Sequence, residues 1–137
     1  MTGAKILLDT HIALWAITDD EKLSDAAREL LLSYDNEIFY STASVWELSV
    51  KHSIHPEHVP FSGHEFSDYC RRAGYGNLPV KDLHIFALET LSRPEDAPRH
   101  KDPFDRLLIA QAKAEEMLFL THDSLIPFYN EPFIIKV

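Results

Sequence analysis

Short apolar runs alternate with longer amphipathic segments along the chain. Five of these runs are short and rich in aliphatic, aromatic or β-branched residues, and we predict that they are strands. They are KILLD near the start, then EIFYST, NLPV and MLFLTHD, and finally PFIIKV. The first run ends in an acid, and its continuous apolar character is typical of a buried strand.

Six segments between and around these runs have helical character. They are THIALWAIT, SDAARELLLS, ASVWELSVKHSI, GHEFSDYCRRAG, KDLHIFALETLS and the segment that starts at Pro103. Ser24 is placed to cap the second of them, and Gly74 to end the fourth. Strands that alternate with helices predict an α/β fold, a three-layer α/β/α sandwich in which helices cover both faces of a central, mostly parallel sheet.

The size of the chain predicts one domain over residues 1–137. Its 137 residues, 45% of them hydrophobic and 11% aromatic, are enough to form a sizeable core. No internal repeat or flexible linker divides the chain. The apolar segment KILLDTHIALWAI is interrupted by Asp9 and His11 and lacks the flanks of a leader, so we expect no signal peptide and no membrane span. The single cysteine, Cys70, is interpreted as a buried or half-buried thiol in a reducing cytoplasm.

The net charge of −9 argues against a partner that carries phosphates, because such partners are bound through Lys and Arg. The objection weakens if the acids are concentrated where divalent cations bind. With four ionised acids in one pocket, the rest of the chain would carry −5. The net charge is therefore compatible with a nucleic-acid substrate only if the protein also binds divalent cations.

Four acids far apart in sequence are predicted to meet at one edge of the sheet. Asp9 closes the first strand and Asp123 follows the fourth, so both face the edge where α/β folds bind ligands. Glu47 lies one turn into the helix after the second strand, and Asp105 lies in the first turn of the helix that starts at Pro103. These four side chains are the candidate catalytic and metal-binding residues.

Helix capping is the alternative interpretation of the aspartates. Asp9 and Asp123 each precede a new segment and could simply be N-caps. Asp102 fits this role best because Pro103 follows it, although Asp102 could also support a neighbouring metal ligand. Asp105 would then be the third helical residue, where the helix dipole favours a carboxylate.

Glu47 is harder to explain locally. A pair with Lys51 at i,i+4 is worth only about 0.2–0.5 kcal/mol, whereas burying a carboxylate costs several kcal/mol without a cation or good hydrogen bonds. Clustered carboxylates also raise one another's pKa unless a metal compensates them. Oxygen ligands suit Mg²⁺ or Mn²⁺ rather than zinc, and these ions support phosphodiester hydrolysis.

The blocks ILLDTH, SVWELSVK, HKDPFDRLLIAQA and LTHD resemble, in order and approximate spacing, the signature blocks of the PIN-domain family, specifically its VapC-like ribonuclease toxins. The resemblance runs from Ile6 to about Pro127, and DPFDRLLIAQA is its most specific block. It implies a PIN-like fold. The family's acidic metal-binding set falls on Asp9, Glu47, Asp105 and Asp123.

Three hydroxyl positions also match the family blocks. Thr10 and Thr121 stand next to acids, and Ser44 precedes the turn that carries Glu47. Each could orient a carboxylate or a water, and helix capping is the alternative for all three.

The resemblance implies an Mg²⁺-dependent endoribonuclease, with Mn²⁺ as a substitute, that uses an activated water and forms no covalent intermediate. It also implies a homodimer and a small cognate antitoxin that covers the groove, often with an arginine directed at the acids. The segment from His52 to Phe66 and the loop LSRPEDAPRHK match no pattern of the family, so their roles stay open.

Basic residues near the acids are candidates for binding RNA phosphates. They are Lys51, Arg99, Lys101 and Arg106, together with His100. The alternative for the loop residues is a solvated surface with ion pairs to Glu95 and Asp96. Tyr69, Tyr75 or Trp15 could stack on bases, but core packing is the preferred interpretation of Trp15 and Trp46.

Three further interpretations are weaker. His52, His55 and His58 are spaced like zinc ligands, but no cysteine or fourth ligand completes a tetrahedral set. A receiver-like signalling domain would need adjacent acids after an early strand and a late lysine near the pocket, whereas Asp19 and Asp20 follow a helix and Lys136 lies inside the last strand. A PIN fold without catalysis, acting as a binding scaffold, is disfavoured by the retention of all four acids.

Overall fold

The computed structural model describes residues 3–137, and a five-stranded sheet lies at its centre. The strands are β1 (Lys5–Leu8), β2 (Glu37–Ser41), β3 (Gly76–Leu78), β4 (Leu118–Thr121) and β5 (Ile134–Lys136). They lie in the order β3-β2-β1-β4-β5, and all four neighbouring pairs are parallel. The five predicted strands are therefore confirmed, and this sheet is wholly parallel.

Residues 3–137 also contain six α-helices and one short 3-10 turn. The helices are α1 (Thr10–Thr18), α2 (Asp25–Leu32), α3 (Thr42–Ile54), α4 (Gly63–Arg72), α5 (Asp82–Leu88) and α6 (Pro103–Glu115), and the 3-10 turn is Ile126–Phe128. Ser24 caps α2 through a hydrogen bond from the Ala27 amide, as predicted. Just beyond α4, Gly74 has a φ of +89°, the left-handed conformation in which glycine ends helices.

Successive residues of β1 pack into two separate cores because side chains alternate across a strand. Ile6 and Leu8 join a core formed with α1, α2 and α4, whereas Leu7 joins a core formed with α6. Helix α5 packs against α6 on that second side. Helices therefore cover both faces of the sheet, and the predicted three-layer α/β/α fold is confirmed.

The chain changes direction across the sheet between β1 and β4. It runs outward from β1 through β2 to β3 and then returns to β4 on the other side of β1. In such sheets, ligands bind beyond the carboxyl ends of the strands at this switch point. Asp9 directly follows β1 and Asp123 lies two residues beyond β4, so the fold brings both acids to that point.

The two tryptophans differ in burial. Trp15 is half-buried against the first core, as expected, but the prediction of core packing is wrong for Trp46, which is 58% exposed on α3. The Trp46 ring instead contacts the Phe104 ring of α6, with centroids 4.7 Å apart. The reason is that the inward face of α3 is taken by other residues: Ala43, Ser44, Glu47 and Leu48. No helix within residues 3–137 has both the length and the apolar character needed to cross a bilayer.

Candidate active site

Asp9 connects the ends of the two central strands. Its Oδ1 accepts a 2.8 Å hydrogen bond from the Thr10 amide at the start of α1, and its Oδ2 accepts a 2.7 Å bond from the Thr121 hydroxyl at the end of β4. Burial raises the pKa of Asp9, and the charge of Glu47 adds to the effect, although both hydrogen bonds act to lower it. Asp9 is therefore an N-cap, as the alternative interpretation held, and also a buried acid at the switch point.

Glu47 is buried, and each of its carboxylate oxygens has a polar partner. Its Oε1 accepts a 2.8 Å bond from the Thr10 hydroxyl, and its Oε2 pairs with the Lys51 ammonium at 2.5 Å. The Thr10 and Ser44 hydroxyl oxygens lie 2.8 Å apart. Because the single Thr10 hydroxyl proton goes to Glu47, Ser44 donates to Thr10. The two hydroxyls thus form a chain that ends on the carboxylate, while Ser41, not Ser44, caps α3.

The start of α6 fits the predicted roles of its two aspartates. Asp102 caps the helix by accepting hydrogen bonds from the Phe104 and Asp105 amides, at 2.9 and 3.1 Å. Asp105 is the third helical residue. Burial, followed by the negative charges of Asp9, Asp102, Glu47 and Asp123, raises the pKa of Asp105 to about 8. Asp105 therefore lies within electrostatic reach of the other three candidate ligands.

Asp123 shapes the turn after β4. Its Oδ1 accepts hydrogen bonds from the Leu125 and Ile126 amides, at 2.7 and 3.3 Å, while its own amide donates to the Thr121 hydroxyl at 3.0 Å. Asp123 thus stabilises the turn and is not an N-cap, because the N-cap of the 3-10 turn Ile126–Phe128 is Leu125. Asp9 and Asp123 line one cavity of about 180 Å³, and the remaining walls are aromatic: His11, Trp15 and His122.

His100 fixes Asp105, a role that sequence reasoning missed. Its Nε2 lies 3.0 Å from Asp105 Oδ2, and its Nδ1 lies 2.8 Å from the Tyr129 hydroxyl. Burial lowers the pKa of His100, opposed mainly by the charge of Asp123. The sequence indicates His100 only as a phosphate ligand. It precedes α6, so helical spacing gave no signal, and its proximity to Asp105 in sequence was the only clue.

The carboxylates supply an oxygen-only donor set, which suits Mg²⁺ or Mn²⁺. The pKa values of Asp9 and Asp105 are raised first by burial, and the negative charges of neighbouring acids add to both shifts. Among residues 3–137, no three of the four acids have oxygens that all lie within 4.8 Å of one another. The residues present thus fit a hard divalent cation by the chemistry of their oxygens, whereas three of them would have to move closer together to bind one ion.

The candidate RNA ligands lie in different environments. Lys51 is paired with Glu47, and the charges of Asp102 and Asp105 also favour its ammonium form. Arg99 and Lys101 are exposed and form no ion pair within the described chain, so the proposed pairs with Glu95 and Asp96 are absent there. Arg106 is half-buried and lies beside the Tyr129 hydroxyl.

The tyrosines that we considered for base stacking lie elsewhere. Tyr69 is exposed on α4 and makes an edge contact with Phe61, and Tyr75 is half-buried against the first core. Neither lines the cavity that contains Asp9 and Asp123. Trp15 is the candidate stacking residue that the structure brings to the acids.

Comparison with known proteins identifies the family. A family profile for the PIN domain matches residues 6–129. A sequence search of curated proteins finds no match. The chain is similar in structure to VapBC2 from Rickettsia felis, bound to a DNA fragment from its promoter, with a TM-score of 0.63, 20% identity and coverage of 97% of each chain. It is also similar to a domain of a functionally unknown protein from Methanocaldococcus jannaschii DSM 2661, with a TM-score of 0.52, 18% identity and coverage of 89% of this chain and 80% of the other. The profile match spans most of the chain, which therefore belongs to the PIN domain family.

Proposed function

We propose that the chain is a divalent-metal-dependent endoribonuclease, the toxin of a toxin–antitoxin pair. The observation that carries this proposal is the surroundings of Asp105, whose pKa is raised to about 8 first by burial and then by the negative charges of Asp9, Asp102, Glu47 and Asp123. Four carboxylates from separate parts of the chain repel one another. Their proximity costs free energy, and a functional requirement for the group would account for it. PIN domains are generally nucleases, and this arrangement supports that class of activity.

Asp9, Glu47, Asp105 and Asp123 would hold Mg²⁺, with Mn²⁺ able to replace it. When bound, such an ion lowers the pKa of water and offsets charge on the attacking and leaving oxygens. A carboxylate of the set accepts the proton of the attacking water. The new bond from water to phosphorus forms as the bond to the leaving sugar oxygen breaks, and no covalent enzyme intermediate arises.

Neighbouring side chains orient these acids. The Thr121 hydroxyl holds Asp9, and Thr10, itself held by Ser44, holds Glu47. His100 holds Asp105 from one side, and Asp102 fixes the backbone of the same turn. Such supporting contacts matter because they set the direction in which a ligand presents its oxygen.

RNA would be bound at the rim of the acidic site. Arg99 and Lys101 are exposed and available for phosphates, and Arg106 and Lys51 lie closer to the carboxylates. The aromatic cavity beside Asp9 and Asp123 has space for one unstacked base, and we propose that Trp15 stacks on it. Single-stranded RNA is the substrate class that such a cavity favours.

Exposed apolar side chains support the proposal of protein partners. Trp46, Val50 and Ile54 form a stripe along α3, and Phe86 is 64% exposed on α5. Apolar patches of this kind mark interaction surfaces. By analogy with the VapBC2 complex, we propose that the chain forms a homodimer and binds a small cognate antitoxin in the cytoplasm. Sedimentation of the chain, alone and with a co-expressed partner, would test both proposals.

RNA cleavage tests the proposed activity directly. Tag-free protein is incubated with total RNA and with unstructured oligonucleotides in Mg²⁺, Mn²⁺ or EDTA, and the fragment ends are mapped. We expect cleavage that requires metal and is lost in Asp9→Asn, with the exposed Asp25→Asn as the matched control. If the folded wild-type protein cleaves no RNA with any metal, a catalytically silent PIN scaffold becomes the better description.

A further inference from the structure

The turn that follows α3 gathers three side chains of metal-binding type. Among residues 3–137, His55, Glu57 and His58 form the one group of three or more His, Cys, Asp or Glu whose donor atoms all lie within 4.8 Å of one another. All three are exposed, so a cation and a water molecule can reach them. None of them belongs to the acidic set of the proposed nuclease.

The spacing of His55 and Glu57 fits two ligands of one ion. Nδ1 of His55 lies 3.4 Å from Oε1 of Glu57. A charge-assisted hydrogen bond would be shorter, at about 2.7–2.9 Å. In a tetrahedral site with bonds of about 2.0–2.1 Å, two ligand atoms lie about 3.3 Å apart. The 3.4 Å separation is longer than such a hydrogen bond and matches the edge of a coordination tetrahedron.

Backbone hydrogen bonds close the turn, and the two histidine side chains lie side by side. The His58 and Val59 amides both donate to the His55 carbonyl, at 3.0 and 3.1 Å. The His55 and His58 rings stack with centroids 5.6 Å apart and planes inclined by 25°. The donor atoms of both imidazoles already lie within 4.8 Å of each other.

His52 has a different role from the one its spacing suggested. Its Nδ1 donates a 2.6 Å hydrogen bond to the Val59 carbonyl, which ties the turn back to α3. The three histidines therefore do not form one site, in agreement with the interpretation that their spacing alone completes no zinc site. Glu57, not His52, is the third member of the group, and the fourth position of a tetrahedral site stays open.

We propose that His55, Glu57 and His58 bind a divalent cation of the zinc class, with water as the fourth ligand. Two imidazoles and one carboxylate favour Zn²⁺, Ni²⁺ or Cu²⁺ over Mg²⁺, because imidazole is a borderline ligand. His58 also borders a cavity of about 320 Å³ that Glu47 and Lys51 line. A cation at this turn fixes one wall of the groove that leads to the acids.

Metal titration of tag-free protein tests the proposal. Zn²⁺ binding is followed by calorimetry, and Co²⁺ is used as a probe because four-coordinate Co²⁺ absorbs visible light far more strongly than six-coordinate Co²⁺. The variants are His55→Ala, Glu57→Gln and His58→Ala. His64→Ala, which removes another exposed histidine, is the control, and a double variant with Asp9→Asn and Asp105→Asn isolates the turn from the acidic site.

We expect one Zn²⁺ and a strong Co²⁺ spectrum in the wild type, the His64→Ala control and the acid double variant, and the loss of both in His58→Ala. The proposal is overturned if His55→Ala and His58→Ala bind Zn²⁺ as tightly as the wild type, or if binding disappears only in the acid double variant. RNA cleavage does not enter this test, so it stands or fails separately from the proposed nuclease activity.

Discussion

The Thr121 hydroxyl donates a 2.7 Å hydrogen bond to Oδ2 of Asp9, and this contact joins the carboxyl ends of β4 and β1 across 112 positions of sequence. Both residues are buried. The same Thr121 oxygen accepts the Asp123 amide, so one hydroxyl aligns two of the four acids. The geometry of the candidate site therefore depends on a side chain that carries no charge.

Replacement of Thr121 by Val tests this dependence. The substitution keeps the shape but leaves Oδ2 of Asp9 without its donor, which costs about 1–3 kcal/mol for a buried acceptor. We expect a lower midpoint of urea unfolding in EDTA and weaker Mn²⁺ binding. Thr18→Val is the control, because Thr18 is exposed and bonds only within its own helix. Equal unfolding midpoints for Thr121→Val and the wild type would show that the contact contributes nothing.

The raised pKa of Asp105 predicts how stability depends on pH. With a pKa of about 8 in the folded protein, Asp105 retains a proton that it loses in the unfolded chain above its ordinary value of 3.8. Its contribution is therefore complete below that ordinary value and is lost as pH rises through about 8. We expect the metal-free protein to become less stable as pH rises from about 4 to about 8, and the part of this window above about pH 7 lies clear of the ordinary titration of histidine.

Urea unfolding in EDTA across that window is the measurement. Asp105→Asn should flatten the pH dependence, because its side chain does not titrate, and saturating Mg²⁺ should flatten it in the wild type by replacing the proton. A metal-free wild type whose stability rises over this range contradicts the assignment.

His100 is predicted to position Asp105. His100→Ala removes the contact to Oδ2 and should lower Mn²⁺ affinity or cleavage by about 10–100-fold, as is typical of side chains that hold a metal ligand. Tyr129→Phe removes only the hydroxyl that holds His100 and should have a smaller effect in the same direction. If His100→Ala needs no more Mn²⁺ than the His64→Ala control, Asp105 is oriented without His100.

Trp15 is predicted to stack on a base of the substrate. The chain has two tryptophans, so Trp46→Phe leaves Trp15 as the only indole reporter. We expect an unstructured RNA oligonucleotide, bound in Ca²⁺, to quench the fluorescence of this variant but not that of Trp15→Phe. Loss of one stacking contact is worth about 1–3 kcal/mol, so Trp15→Ala should weaken RNA binding by about 5- to 150-fold. Unchanged binding by Trp15→Ala would remove Trp15 from the substrate site.

The periodicity of the sequence predicted the strands, the helices and the edge at which the acids lie, because buried elements of an α/β fold leave regular apolar patterns. It misplaced Trp46 because α3 has an inverted pattern. Ser44 and Glu47 are buried while Trp46, Val50 and Ile54 are exposed, so hydrophobicity alone directs the wrong face inward.

Contacts formed by loop residues could not be predicted in the same way. His100 lies between two elements and has no periodic neighbours, and its contact with Tyr129 spans 29 residues. Local rules did identify Asp102, because an aspartate before a proline is a strong signal for the start of a helix. Side chains were predictable where their roles follow from local backbone geometry, and not where those roles depend on distant partners.

The central claim is that Asp9, Glu47, Asp105 and Asp123 form one cation site. The most direct measurement is an anomalous difference map from a crystal soaked in Mn²⁺. We predict a peak in direct contact with carboxylate oxygens of this set, at the carboxyl ends of β1 and β4. A map with no peak there at saturating Mn²⁺, or with Mn²⁺ bound only elsewhere on the protein, would contradict the account.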